Sequence, residues 1–448
     1  MTVLNLSLHK KKVKRLALYL FACIFFYACN TSKESNTVVF GTSDLNKLNR
    51  RLLEIAMEDG FPPPIASRVY VYPHVAQYVA LQSFYPDSLS DLTSKLNGLG
   101  SLPVLSKTNV NAELASLMTF CKVAKKVVFS EHYMDQYLDS LKMEGEKRGL
   151  STNVINASGL FADSLSTQII AWLSKDQYVE TRTMERYTSV KEPGKWKETP
   201  PDYQQALEPH WPKIRTLLID SATIYKSAEL PSYDTKKGSE FYKMAYRVYE
   251  QSQKSDSSTI NTAWFWDDNP NSSDHKGHSM AVIHKISPPG HWLNIIHQIS
   301  DKNNYSLTTT TKAYTCSAIA MFDGIISCWS EKYRTNLVRP VSYIQENIDV
   351  SWSPVIQTPP FPEYTSGHSV LSAAAASVLT NIFGENYNFN DNTAELFGMS
   401  SRDFKSFHEA AWEVSLSRFY GGIHYYYGIE EGNKQGKFIG DLVISKVK

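Results

Sequence analysis

Three short segments in the C-terminal third of the chain carry residue types suited to the capture of a small oxyanion. The first holds Lys332 and then Arg339, which is followed at once by Pro340. The second, Phe361-Pro362-Glu363-Tyr364-Thr365-Ser366-Gly367-His368, sets a hydroxyl, a glycine and an imidazole ahead of an alanine-rich run that ends at Gly384. The third holds Ser417-Arg418, the pair Gly421-Gly422, and His424. Three cations can neutralise a tetrahedral anion through charge-assisted hydrogen bonds, and a helix beginning near Ser366 adds free N–H groups and partial positive charge. Each segment also has an ordinary explanation: a snorkelling lysine at Lys332, a plain cap beside a surface histidine at Ser366, a salt-bridged arginine at Arg418.

Such groups need helices to position them. Phe322, Ile325, Trp329 and Lys332 step by three, four and three, so a helix over 313–334 places Lys332 at the end of an apolar stripe. Pro340 forces the chain out of helical geometry at Arg339. Thr365 or Ser366 caps the next helix and Gly384 stops it. Phe404, Phe407, Ala411, Val414 and Arg418 keep helical spacing, so a helix over 402–420 turns Arg418 inward, where it needs a counter-charge. Upstream, Leu45, Leu48, Leu52 and Ile55 mark a helix closed by Gly60 and Pro62-Pro63-Pro64. A second helix over 65–81 is expected to break at Pro73, and 111–126 and 133–149 read as two more. Period-two alternation is scarce, which makes the expected fold class all-α, a helical bundle. The irregular stretches 190–205, 266–277 and 351–365 are the expected carriers of chemistry.

Composition narrows the field. With 448 residues, 42% hydrophobic content and ordinary Gly and Pro counts, the chain can bury a large core and is neither collagen-like nor wholly disordered. A formal net charge of +1 gives no case for nucleic acid as a partner. The N-terminus reads as an address: Lys10, Lys11, Lys12, Lys14 and Arg15 precede an apolar run over 16–28, shorter than the roughly 20 residues that span a bilayer. Phe26-Tyr27-Ala28-Cys29 resembles a bacterial lipobox, in which the cysteine is lipidated and becomes the new N-terminus. The expected organisation is a signal peptide over 1–28, a lipidated tether over 29–42, a helical region over 43–280 and a catalytic helical region over 281–448, the last two integrated in one domain. The location that follows is periplasmic or cell-surface, anchored to a membrane by lipid; plain secretion and a signal anchor are the alternatives. Loss of residues 1–28 removes five basic and no acidic residues, turning +1 into −4.

Taken together, Lys332-x6-Arg339-Pro340, Ser366-Gly367-His368 and Ser417-Arg418-x3-Gly422-x-His424 resemble the three-part signature of the superfamily that joins type 2 phosphatidic acid phosphatases to vanadium-dependent haloperoxidases. Trp329 and Phe361 match aromatic positions that line the halide pocket of fungal-type chloroperoxidases. Pro62 to Arg68, Ala206 to Trp211 and Pro288 to Trp292 look like stretches of bacterial secreted haloperoxidase-like proteins. The resemblance implies a helical-bundle fold with its site in a cleft. It implies that Lys332, Arg339, Ser366, Gly367 and Arg418 hold vanadate or phosphate, that His424 is the axial vanadium ligand, and that His368 is the general acid or base. The expected function is oxidation of halide by hydrogen peroxide on a vanadate cofactor. The alternative is an acid phosphatase without cofactor, in which His424 attacks a small phosphoester and forms a phosphohistidine. A third reading is a decayed, glycan-binding surface lipoprotein that uses its nine Trp and 26 Tyr. Two departures stand out: Thr365 where the family usually has Pro, and Gly428 where it commonly has an Asp that orients the histidine. Glu430 or Glu431 is the expected substitute.

Other features weigh less. His275, His278, His284, His291 and His297 cluster without zinc-like spacing, and His291-Trp292 is expected to begin a helix. Asp267, Asp268 or Asp274 is expected to pair with one of the arginines. Cys316 and Cys328 lie about 18 Å apart along one helix, too far to bond.

Overall fold

A computed structural model describes residues 40–448 except 271, 277 and 278, and only the backbone of 274–276 and 279–283. The signal peptide, Cys29, most of the tether and the side chains of Asp274, His275 and His278 lie outside the described residues. The order is α1 (Thr42–Glu58), α2 (Pro63–Gln82), α3 (Ala112–Ala124), α4 (Glu131–Lys147), α5 (Thr152–Leu173), α6 (Glu240–Gln253) and α7 (Ser257–Phe265). There follow a ribbon of β1 (Ser272–Lys276) and β2 (Ser279–Ile283), then α8 (Pro288–Asn303), α9 (Leu307–Thr335), α10 (Pro340–Asn347) and α11 (Gly367–Phe383). A second ribbon, β3 (Phe389–Asp391) with β4 (Arg402–Phe404), precedes α12 (Phe407–Tyr420) and α13 (Tyr426–Val447). The chain is therefore mostly helical, and residues 40–448 form one compact unit.

The stripe Leu45, Leu48, Leu52 and Ile55 is fully buried, as its period requires. Helix α2 runs unbroken through Pro73, contrary to the expected interruption. An interior proline costs about 3 kcal/mol, but α2 is buried along nearly its whole length, and that packing offsets the missing hydrogen bond. Helix α9 begins at Leu307, earlier than its apolar stripe, because the Ser306 side chain caps it by accepting from the Thr309 N–H at 3.1 Å. Helix α12 starts at Phe407 rather than 402. Residues 402–404 instead pair antiparallel with β3, Phe404 against Phe389, and Ser406 caps the helix through the Glu409 N–H at 3.0 Å.

Two layers meet along α9. On one side α9 packs on α2, which packs on α3 and, through it, on α5; on the other it packs on α11 and α13. The buried Asp323 ties a strap to α9 by accepting the N–H groups of Leu217, Leu218 and Ile219 at 2.7, 2.8 and 3.0 Å. The most extensive contact, α11 on α13, is made by glycines at every fourth residue of α13: Gly432, Gly436 and Gly440. A Cβ at Gly440 would lie 2.5 Å from the Ala374 carbonyl oxygen, and one at Gly432 would lie 2.9 Å from that of Ser366, so these backbones touch directly. This close approach brings the N-terminus of α11 against the start of α13, where the third segment ends.

Candidate active site

The last turn of α9, the strap 359–366, the first turn of α11, the end of α12 and the entry to α13 converge. Lys332 ends the α9 stripe fully buried, and its ammonium donates to the carbonyls of Pro362 and Glu363, 3.0 Å each. Arg339, also fully buried, donates from Nε to the Phe361 carbonyl at 2.8 Å and from Nη1 to the Ile423 carbonyl at 2.8 Å. Three consecutive strap carbonyls thus face the two cations. Arg418 is held by the Ser417 hydroxyl at 3.0 Å and by the carbonyls of Ala263 at 3.1 Å and Trp266 at 2.6 Å. The nearest carboxylate to its Nη1 is Asp267, at 3.9 Å, so one of the expected aspartates does approach an arginine.

Ser366, not Thr365, is the N-cap of α11: its hydroxyl oxygen accepts from the Ser369 N–H at 3.4 Å and from the Ser369 hydroxyl at 2.9 Å. Gly367 is the first residue of α11, where an N–H has no acceptor within the helix. A Cβ there would lie 3.4 Å from the Trp329 ring and 4.0 Å from Lys332 Cε, so the glycine lets the donor end of α11 come up to the cations.

His424 is buried beside Arg339. A guanidinium only donates, so His424 Nε2 accepts from Arg339 Nη1 at 3.1 Å, and the ring proton sits on Nδ1. Nδ1 donates to Glu363 Oε1 at 2.7 Å, and the same oxygen accepts the Tyr425 N–H at 3.0 Å. Neither Glu430, which is exposed, nor Glu431 takes the expected place of the missing aspartate. Glu431 accepts instead from the Tyr225 hydroxyl at 2.7 Å and the Ala228 N–H at 3.1 Å. The strap instead delivers Glu363 onto the imidazole.

A cavity of about 50 Å³ opens here, lined in part by Phe361, His368, Arg418, Ile423, Asp267 and Asp268. Phe361 forms its wall, but Trp329 does not line it. The indole is buried behind Phe361, ring centroids 4.9 Å apart, with its N–H on the Leu207 carbonyl at 3.2 Å. Burial drives the His368 and His424 imidazoles well below the usual range, with the surrounding cations adding to the effect, so both are neutral. Burial likewise lowers Lys332 to about 7 and Arg339 to about 10, and raises Glu363 to about 7.

Behind Arg418 lies a group with no role in the sequence reading. His291, in the first turn of α8 as expected, is buried with Nδ1 3.0 Å from both oxygens of Asp268 and Nε2 2.7 Å from Asp391. Asp268 therefore serves a histidine and not an arginine. Burial opposes the charge of His291, but the flanking carboxylates overcome it and hold the imidazolium up to about 10.

The set can bind one small anion. Lys332, Arg339 and Arg418 bring three positive charges, with Glu363 and Asp267 the carboxylates close to them. Arg339 Nη2 and His368 Nε2 are buried with no hydrogen-bond partner among the described residues. A buried polar group left unpaired costs about 1–3 kcal/mol, and an oxyanion with several acceptor oxygens fits the Arg339 donor and this charge excess. Vanadate and phosphate both meet that description.

A family model described as the VCPO second helical-bundle domain matches residues 312–448. The crystal structure of the first bacterial vanadium-dependent iodoperoxidase superposes with a TM-score of 0.85 at 41% sequence identity, covering 91% of this chain and 97% of that one. A holo-type bacterial vanadium-dependent chloroperoxidase superposes with a TM-score of 0.64 at 14% identity, covering 87% and 94%, and likens the fold alone. No curated protein sequence matches the chain.

Proposed function

Since the chain belongs to the vanadium haloperoxidase family, we propose that it is a vanadium-dependent haloperoxidase that uses hydrogen peroxide to oxidise halide. The observation that carries this reading is the buried trio Lys332, Arg339 and Arg418, with Arg339 Nη2 aimed at no protein acceptor. Lys332, Arg339 and Arg418 would hold the oxygens of vanadate, with the Ser366 hydroxyl and the Gly367 N–H as neutral donors, and His424 Nε2 would meet it with the lone pair that Arg339 Nη1 engages here. Vanadate, when bound, supplies a Lewis-acidic centre that activates peroxide toward halide. His368 is neutral and its Nε2 is unpaired, so it can take up a proton from incoming peroxide and return it to a departing oxygen. Phe361 gives the cavity an apolar wall against which a weakly hydrated halide rests. The 41%-identical relative is an iodoperoxidase, which makes iodide the first halide to test.

Orthovanadate-loaded protein is expected to form triiodide from iodide and peroxide, and protein stripped of vanadate to form none. Loaded protein that oxidises neither iodide nor bromide, while the vanadate-free form hydrolyses a phosphomonoester and His424→Ala abolishes it, would reverse the assignment in favour of the phosphatase. No feature of the site favours that second reading, and the intact histidine–carboxylate pair removes the one departure that favoured a decayed site.

We further propose export and lipid anchoring through Cys29, on the basic cluster, the short apolar run and the lipobox-like sequence. No helix among the described residues is long and apolar enough to cross a membrane. Cys29→Ala is expected to move the protein from the membrane to the soluble fraction, and unchanged fractionation would refute the anchor.

A further inference from the structure

Glu363 joins the end of α9 to the entry of α13. Its backbone carbonyl takes the Lys332 ammonium at 3.0 Å, and its carboxylate takes His424 Nδ1 at 2.7 Å and the Tyr425 N–H at 3.0 Å. The side chain is completely buried, and its second oxygen has no partner among the described residues. Gly428 lies directly across from it. A Cβ added at Gly428 would collide with Glu363 Oε1 and stand 3.0 Å from both Cδ and Oε2. The carboxylate therefore occupies the volume into which any side chain at 428 would project. An aspartate at 428 would put its own carboxyl group one bond further into that same space.

We propose that Glu363 is the positioning residue of His424 and that residues 363 and 428 form a mutually exclusive pair, with one carboxylate supplied from the strap instead of from α13. The proposal rests on the reading of His424 as the residue that meets the oxyanion. By accepting from Nδ1, Glu363 fixes the tautomer that leaves Nε2 with a lone pair and holds the ring in the plane that faces Arg339. Partners of this kind change ligand affinity by about 10–100-fold when removed. Electrostatics alone makes the opposite prediction. Deleting a negative charge next to three cations strengthens the attraction for an anion, so the sign of the change separates positioning from a bystander charge.

The test uses the full chain, with orthovanadate affinity measured by calorimetry and the His424 tautomer read by nitrogen-15 NMR of vanadate-free, histidine-labelled protein. The wild type is expected to carry its His424 proton on Nδ1. E363A is expected to bind orthovanadate at least about tenfold more weakly and to lose that tautomer. E363Q keeps an acceptor oxygen without the charge, and is expected to keep both the tautomer and at least wild-type affinity. G428D alone is expected to melt below wild type, because two carboxyl groups compete for one space, while E363A/G428D regains most of the affinity lost in E363A. Equal or tighter binding by E363A with the Nδ1 proton retained overturns the proposal, as does a double variant no better than E363A. Where E363A does not fold, E363Q with its proton moved to Nε2 overturns it as well. A wild type that binds no orthovanadate but shows the Nδ1 tautomer, with the tautomer lost in E363A, condemns the haloperoxidase reading and leaves the pairing standing.

Discussion

Arg339 makes three hydrogen bonds and leaves Nη2 bare inside the protein, an arrangement that is unfavourable until an anion arrives. Burial lowers both it and Lys332, which measures the same strain in protonation terms. Orthovanadate should stabilise the folded chain by mass action, by about 2.7 kcal/mol at a hundred times its dissociation constant, and so raise the melting temperature. Arg339→Lys keeps the charge but loses the planar fork. It is expected to weaken orthovanadate at least about tenfold, the free energy of one or two charged hydrogen bonds, and thermal shift against orthovanadate concentration measures it. At this scale the sequence was informative wherever a group ends a helical stripe: Lys332 and Arg418 were placed inward by period alone. Glu363 was not, because its partner is 61 residues away and no local period records a contact across that separation. The signal that existed was an acid within the strap ahead of Ser366, paired with the missing acid at 428.

Helix α13 meets α11 through glycines on one face, and the backbone of α11 fills the space their side chains would need. Gly440→Ala sets a methyl 2.5 Å from a carbonyl that cannot yield without shifting the helix. It is expected to destabilise the protein by about 1–3 kcal/mol, the usual cost of overpacking, as measured by chemical denaturation. Its effect should extend to orthovanadate affinity, because the end of α11 that α13 supports carries Ser366 and Gly367. Element boundaries were legible where caps and periods agreed, as at Ser366 and Gly384. They failed where tertiary pairing overrode a local pattern. Arg402 to Phe404 keep helical spacing with α12 yet serve as a strand, because β3 offers them an edge and Phe389 a ring to pack on, centroids 5.4 Å apart. At Pro73 the override ran the other way.

For the molecule as a whole, the trio Asp268, His291 and Asp391 joins the loop after α7, the start of α8 and the ribbon strand β3. Its imidazolium persists to about 10 in the folded chain against 6.5 for an ordinary histidine. A group raised on folding stabilises fully below its unfolded value, and that contribution fades as pH climbs from 6.5 to about 10. The melting temperature should therefore fall across this interval, and His291→Gln should flatten the slope in a fluorimetric melt taken at several pH values. The dimensions of the cavity carry a different consequence. At about 50 Å³ the space beside His368 is the size of a few water molecules. If the chain oxidises halide as proposed, an organic acceptor larger than that space meets the oxidised halogen in solution, beyond the reach of a chiral wall. A prochiral acceptor is expected to give racemic halogenated product, with positional preference identical to that of added hypohalite, and chiral chromatography that resolves an enantiomeric excess would contradict it.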